Sequence, residues 1–213
     1  MERPRYIVVE GPIGVGKTTL ATKLGEEFKA RVVLEGPEEN PFLEKFYENQ
    51  EKYAFQTQIF FLLSRFSQQQ NLAQQELFQQ TTIVDYFFEK DRIFASLTLS
   101  DEELALYEQI YHLLNARVPR PDLVIYLQAR TRVLLERISK RGTAYEKSIN
   151  PKYIEALNQL YNDYFFYYNS SPLLVVNTSE IDFVEKEDDF KELVKEIRQM
   201  RKGTQHFIPL GSR

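Results

Sequence analysis

The 213-residue chain has no cysteine and two histidines, His112 and His206. The first absence excludes a disulfide framework, thiolate metal sites and thiol nucleophiles. So few imidazoles argue against histidine-rich metal centres and histidine-dependent triads. No apolar run approaches the roughly 20 residues of a membrane span. The run Tyr6 to Val9 also begins too early for a signal peptide to precede it, so a cytoplasmic location with no membrane partner is expected. Positive charge is not in excess either. With 27 Lys and Arg against 31 Asp and Glu, the net charge is −4, which makes a general nucleic-acid binder a poor reading. The length fits one domain over residues 1–213, large enough to bury a core without metal or disulfide support.

Short apolar, β-branched runs alternate with helical periodicity. Strands are expected at Tyr6 to Val9, Arg31 to Leu34, Thr81 to Val84, Asp122 to Leu127 and Leu173 to Val176. Helices are expected between them, the longest from Tyr53 to Phe78, with others near 87–97, 101–116, 130–140, 151–168 and 188–201. Ser100 and Glu103 form a capping-box pattern. The aromatic-rich stretch Tyr153 to Tyr168 reads as core and subunit-contact packing. The tail from Gly203 to Arg213 has no clear period. Strands separated by helices indicate an α/β three-layer fold, with helices on both faces of a parallel sheet.

Gly11-Pro12-Ile13-Gly14-Val15-Gly16-Lys17-Thr18, followed by Thr19, matches the phosphate-loop pattern in full and sits between a buried strand and an amphipathic helix. The glycines let the backbone turn and present N–H groups to a polyphosphate, and the helix N-terminus adds its dipole. Lys17 places a charge at the β- and γ-phosphates, and the Thr18 hydroxyl can join a Mg²⁺ shell. The guanine-reading Asn-Lys-x-Asp and the Asp-x-x-Gly of nucleotide switches are absent. The third strand ends in the single acid Asp85, not the Asp-Glu of larger motors. Small size, an acid after the second strand and a basic loop after the fourth indicate a small-molecule kinase.

The phosphate loop, Glu39-Asn-Pro-Phe-Leu43, Gln58 with Arg65, Asp91-Arg-Ile-Phe-Ala95 and Arg137-Ile-Ser-Lys-Arg-Gly142 together resemble the deoxyribonucleoside kinases, in particular the bacterial deoxyadenosine/deoxyguanosine kinase branch. The resemblance implies a P-loop fold with a five-stranded sheet of order 2-3-1-4-5, a helical lid at about 137–149 and a homodimer. It also implies transfer of the γ-phosphoryl of ATP, with Mg²⁺, to the 5′-hydroxyl of a deoxynucleoside, purine favoured.

By the same resemblance Glu35 is the carboxylate that activates the 5′-hydroxyl. Gln58 reads the base edge, with Gln56 the alternative if the register shifts, and its amide can flip to suit different bases. Arg65 and Asp91 pair beside the base, and Phe94 stacks on it. Tyr47 and Glu146 hold the sugar 3′-hydroxyl, and Tyr53 stands where many members have tryptophan, lining the sugar site. Arg137 and Arg141 belong to the lid that closes on ATP, and Asp85 orients Mg²⁺ through water. The chain departs from the family after its third strand. Most relatives read acid-Arg-Ser there, whereas this chain reads Asp85-Tyr86-Phe87, and Arg92 is the expected replacement for the missing arginine, or else a lid arginine. The rival readings are a thymidylate-type monophosphate kinase and a phosphate-loop protein without chemistry. The acid at position 35 opposes the first, because it would repel an acceptor phosphate. Retention of Lys17, Thr18 and Glu35 opposes the second.

Overall fold

The computed structural model describes residues 4–74, 81–179, 183, 186–200 and 202–207. Its centre is a parallel sheet of strands β1 (Tyr6–Glu10), β2 (Arg31–Val33), β3 (Thr82–Val84), β4 (Leu123–Gln128), β5 (Leu173–Asn177) and β6 (Thr204–Phe207). Their order is β2-β3-β1-β4-β5-β6. β1 lies at the centre, with Val8 opposite Val84 of β3 on one side and Val124 of β4 on the other. Each residue of β1 and β3 is buried, which is why these strands read as continuous apolar runs rather than alternating ones.

The expected order 2-3-1-4-5 is extended by one strand. Thr204–Phe207 pairs in parallel with β5 at the sheet edge. Three of its four residues are exposed, so it carries no apolar run by which to recognise it. Residues 208–213 of the expected irregular tail lie outside the described residues.

Helices α1 (Lys17–Phe28), α2 (Leu43–Glu48), α3 (Gln50–Gln74), α4 (Lys90–Thr98), α5 (Asp101–Asn115), α6 (Thr131–Arg141), α7 (Pro151–Tyr167) and α8 (Glu187–Gln199) surround the sheet. The end of the expected 53–78 helix beyond residue 74 and that of the 188–201 helix at Arg201 fall outside the described residues. α5 begins with the expected capping box: Ser100 Oγ accepts from the Glu103 amide and the Ser100 amide donates to the Glu103 carboxylate. The main core packs the sheet against α1, α6, α7 and α8, and Tyr153, Tyr161 and Phe165 of the aromatic stretch lie inside it. A smaller cluster (Leu62, Phe88, Ala95, Tyr107 and Tyr111) ties α3, α4 and α5 together. Of these, α3 and α4 form one wall of the cavity described next.

Candidate active site

The loop between β1 and α1 is shaped by close approaches. A Cβ on Gly11 would stand 2.4 Å from the Leu127 carbonyl of β4. At Gly14, φ is 83° and a Cβ would meet Ile138 and the Leu134 carbonyl of α6 at 2.8 and 2.9 Å. Only glycine fits both positions. Lys17 Nζ donates to the carbonyls of Gly11 (2.7 Å) and Pro12 (3.3 Å). Burial pushes its ammonium below the ordinary range, the neighbouring Lys90 adds to this, and Glu10, Glu35 and Asp85 oppose it. Pro12 and Val15 are buried. The Val15 carbonyl accepts from Arg137, which also donates to the Thr178 carbonyl and hydroxyl. Arg137 therefore braces the loop from α6. Thr19 is exposed and lies outside the cavity wall.

One cavity collects Ile13, Gly14, Lys17 and Thr18 of this loop together with Glu35, Tyr47, Gln58, Arg65, Asp85, Asp91, Phe94, Arg141 and Glu146. At its phosphate end the Thr18 hydroxyl donates to Asp85 Oδ2 (2.6 Å), and Asp85 Oδ1 accepts from the Glu35 amide (2.6 Å). Asp85 thus couples the phosphate loop to the turn that carries Glu35. A hydroxyl and a carboxylate are hard oxygen ligands suited to Mg²⁺. Among the described residues there is no group of three or more histidines, cysteines or acids that could hold a metal ion.

Glu35 follows β2. It pairs with Arg65 Nη2, and its other oxygen accepts from Lys90 Nζ at 2.7 Å. Burial would raise its carboxyl, but Arg65 and Lys90 overcome this and hold it far below the usual range. Arg65 also pairs with Asp91 through Nη1. Burial pushes the Asp91 carboxyl up to about 7 against the pull of Arg65 and Lys90.

The helical pitch explains which residues of α3 face inward. Thr57, Gln58, Phe61 and Arg65 form its cavity stripe, as spacings of three and four require. Gln58 is 2% exposed, whereas Gln56 points to solvent, so the register with Gln58 inward is the structural one. Tyr53 does not line the cavity. At 100° per residue it falls at the edge of this stripe, and its ring lies near the ammonium groups of Lys45 and Lys52. Phe61, not singled out from the sequence, lines the cavity with Phe94, and the Arg65 guanidinium stands 4.6 Å from its ring centroid. Its signal was its position, three after Gln58 and four before Arg65. Elsewhere in the cavity wall Tyr47 stacks parallel to Tyr145 at 6.1 Å, and Arg141 donates to both Glu146 oxygens. The lid loop itself is a 3₁₀ segment, Ala144–Ser148.

Arg92 is the clear correction. It bonds Glu108 of α5 at 2.8 Å, stacks near Tyr111 and lies outside the cavity. Lys90 and Asp91 use the inward face of the first turn of α4, so the next position is rotated away by about 100°. Besides Arg65, the cation paired with Glu35 is Lys90. A lysine opening a helix reads as surface in a sequence, and only the long-range approach of β2 and α4 places it inside.

A family model described as deoxynucleoside kinase matches residues 7–202. The chain is 38% identical over 208 residues to a deoxyguanosine kinase of Bacillus subtilis, covering 94% of this chain and 99% of that one. It is 30% identical to a deoxyadenosine/deoxycytidine kinase of the same organism, covering 90% of each. A solved structure of the M. mycoides deoxyadenosine kinase with bound dATP superposes with a TM-score of 0.78 at 26% identity, covering 90% of this chain and 98% of that chain.

Proposed function

The chain belongs to the deoxynucleoside kinase family, and from that membership we propose how its own residues carry out the reaction. The protein is an ATP-dependent kinase that transfers the γ-phosphoryl to the 5′-hydroxyl of a deoxynucleoside, with purines favoured. The observation that carries the assignment of roles is the single cavity joining the phosphate loop, Glu35 and the Gln58–Arg65–Asp91 cluster.

In the proposed arrangement the phosphate-loop amides and Lys17 hold the β- and γ-phosphates, and Arg141 closes on them from the lid. Arg137 keeps the loop in shape. Thr18 and Asp85 would hold Mg²⁺, which would neutralise charge on the transferring phosphates. Phe61 and Phe94 supply apolar walls for the base. Gln58, Arg65 and Asp91 present donors and acceptors to its edge, and Tyr47 and Glu146 position the sugar. Glu35 accepts the 5′-hydroxyl proton as the oxygen–phosphorus bond forms. Its position favours a neutral acceptor, because an ionised Glu35 repels the phosphate of a monophosphate. The proposed assembly is a homodimer of this one domain in the cytoplasm, where its donor is available. Exposed Leu63 of α3 and Leu106 and Leu113 of α5 supply apolar surface for subunit contact.

Base discrimination is expected to depend on Thr98. Its hydroxyl donates to the Phe94 carbonyl (2.8 Å), leaving a lone pair that accepts from Gln58 Nε2 (3.3 Å). The amide of Gln58 is therefore oriented, not free to turn over. A 6-amino and a 6-oxo purine present opposite donor and acceptor patterns, so a fixed amide distinguishes them. Thr98→Val removes the orienting acceptor. It is expected to narrow the ratio of kcat/KM between deoxyguanosine and deoxyadenosine by about fivefold, a small part of what a bidentate base contact discriminates. An unchanged ratio would remove Thr98 from the account.

The proposed function is tested by Mg·ATP-dependent turnover of deoxyadenosine, deoxyguanosine, deoxycytidine and thymidine, with the corresponding monophosphates as parallel acceptors. The expected result is turnover of purine deoxynucleosides above the others and none with the monophosphates. Turnover confined to monophosphates would contradict it.

A further inference from the structure

We propose that Lys90 is a catalytic cation at the reacting 5′-oxygen, supplying from the first turn of α4 the positive charge that Tyr86 cannot supply. The proposal rests on the kinase reading above and on the assignment of Glu35 as the proton acceptor.

Lys90 is placed where stability does not want a lysine. It is 2% exposed, and burying an ammonium is costly. It is the first residue of α4, where the helix dipole disfavours a cation. What holds it there is a pair of carboxylates, Glu35 at 2.7 Å and Glu10 at 3.9 Å. Glu10 also accepts from the amides of Gly11 and Phe87 and from the Tyr161 hydroxyl. The same acid therefore ties the phosphate loop to the turn that delivers Lys90, and the Lys90 amide closes that turn on the Phe87 carbonyl (3.1 Å). Tyr86, which follows Asp85, is fully buried and is not part of the cavity wall. Arg92 is engaged by Glu108. The ammonium that faces Glu35 inside the cavity is Lys90.

The geometry assigns its part in the step. The 5′-hydroxyl gives its proton to the Glu35 carboxylate. The O5′–Pγ bond forms as the bond from Pγ to the β,γ-bridging oxygen breaks, and that electron pair leaves on ADP. Before the step Lys90 shares the charge of Glu35. As Glu35 takes the proton its hold on the ammonium weakens, and the charge of Lys90, still countered by the more distant Glu10, turns to the 5′-oxygen and the transferring phosphoryl group. A fixed cation whose interaction strengthens in the transition state lowers the barrier more than it tightens ground-state binding.

The chain contains no cysteine, so Lys90→Cys introduces its only thiol. Alkylation with 2-bromoethylamine then rebuilds a lysine-like ammonium at that position. Wild type, Lys90→Met, Lys90→Arg, Arg92→Ala and Lys90→Cys before and after alkylation would be assayed with Mg·ATP and deoxyguanosine, with folding followed by circular dichroism. Wild-type turnover is the control on the kinase reading, and its absence would overturn that reading and this one together. Given turnover, Lys90→Met and unalkylated Lys90→Cys are expected to lose about 10²–10³ in kcat, the loss typical of one electrostatic donor, with KM for ATP changed about threefold or less. Lys90→Arg and the alkylated Cys variant are expected to recover most of this, and Arg92→Ala to match wild type. If Lys90→Met does not fold, the two cysteine forms carry the comparison. A folded, neutral variant with kcat within about threefold of wild type would overturn the proposal, as would a loss confined to KM or a failure of alkylation to raise kcat.

Discussion

Glu35→Gln is expected to lower kcat by about 10³-fold, the loss that follows removal of a positioned general base, while KM for ATP changes little. Glutamine keeps the size of the side chain and one carbonyl acceptor for Arg65 or Lys90. Arg65 also retains Asp91, so the fold should survive. The pH dependence has a definite sign. The ionised carboxylate is the active form, and Arg65 and Lys90 hold its pKa below the ordinary 4.5 despite burial. The active form therefore persists as pH falls. In the wild type no loss of kcat traceable to Glu35 is expected between pH 8 and about 5. A kcat for Glu35→Gln within about tenfold of wild type would remove Glu35 as the base.

Arg65→Met is expected to give the largest loss of stability. Arg65 is 4% exposed and pairs with two acids, Glu35 and the 1%-exposed Asp91. Breaking a buried pair by removing one partner costs about 3–5 kcal/mol, because the other charge stays buried without compensation. For a chain of this length that is a fall in Tm of about 10 °C. The deficit should depend on pH. With Arg65 present the Asp91 carboxyl already lies near 7, above its ordinary 3.8. A raised pKa means that the folded state binds the proton more tightly than the unfolded chain, so stability falls as pH rises through that window. Removing the cation raises the pKa further and extends the window upward. The variant should therefore be penalised more at pH 8 than at pH 6. Adding Asp91→Asn should recover part of the loss and flatten this dependence. Thermal melts of the single and double variants at the two pH values check both statements. An equal deficit at pH 6 and 8 would show that Asp91 is not the stranded charge.

The phosphate loop could be read from the chain because its backbone constraints are strict. Glycines at 11 and 14 are forced by contacts under 3 Å, and Lys17 and Thr18 must follow at fixed spacing. Strands β1 to β5 are equally legible: burial of β1, β3, β4 and β5 writes unbroken apolar runs, and β2, exposed to half-buried, shows through its β-branched pair Val32 and Val33. β6 is not, because an exposed edge strand leaves no such record. Gln58, Arg65, Asp91 and Phe94 were reached through resemblance and lie in one cavity. Arg92 suggests itself by chemical type, an arginine near a missing arginine. The helix that carries it turns that position toward Glu108. Lys90 is hidden from the sequence for the converse reason. Its neighbours in sequence say surface, and the carboxylates that hold it come from β1 and from the turn after β2, 80 and 55 positions away. Contacts of that separation are set by topology, which local pattern does not encode.

The proposed reaction in this cavity moves a phosphoryl group from ATP to a deoxynucleoside 5′-oxygen, with Glu35 accepting the proton. It is tested most directly by incubating the protein with Mg²⁺, γ-phosphate-labelled ATP and deoxyguanosine or deoxyadenosine, and identifying the labelled product by ³¹P NMR, alongside Glu35→Gln. The expected result is a 5′-monophosphate ester formed by the wild type at a rate about 10³-fold above that of the variant. Label released as inorganic phosphate, with no nucleoside ester, or equal ester formation by both proteins, would contradict the account.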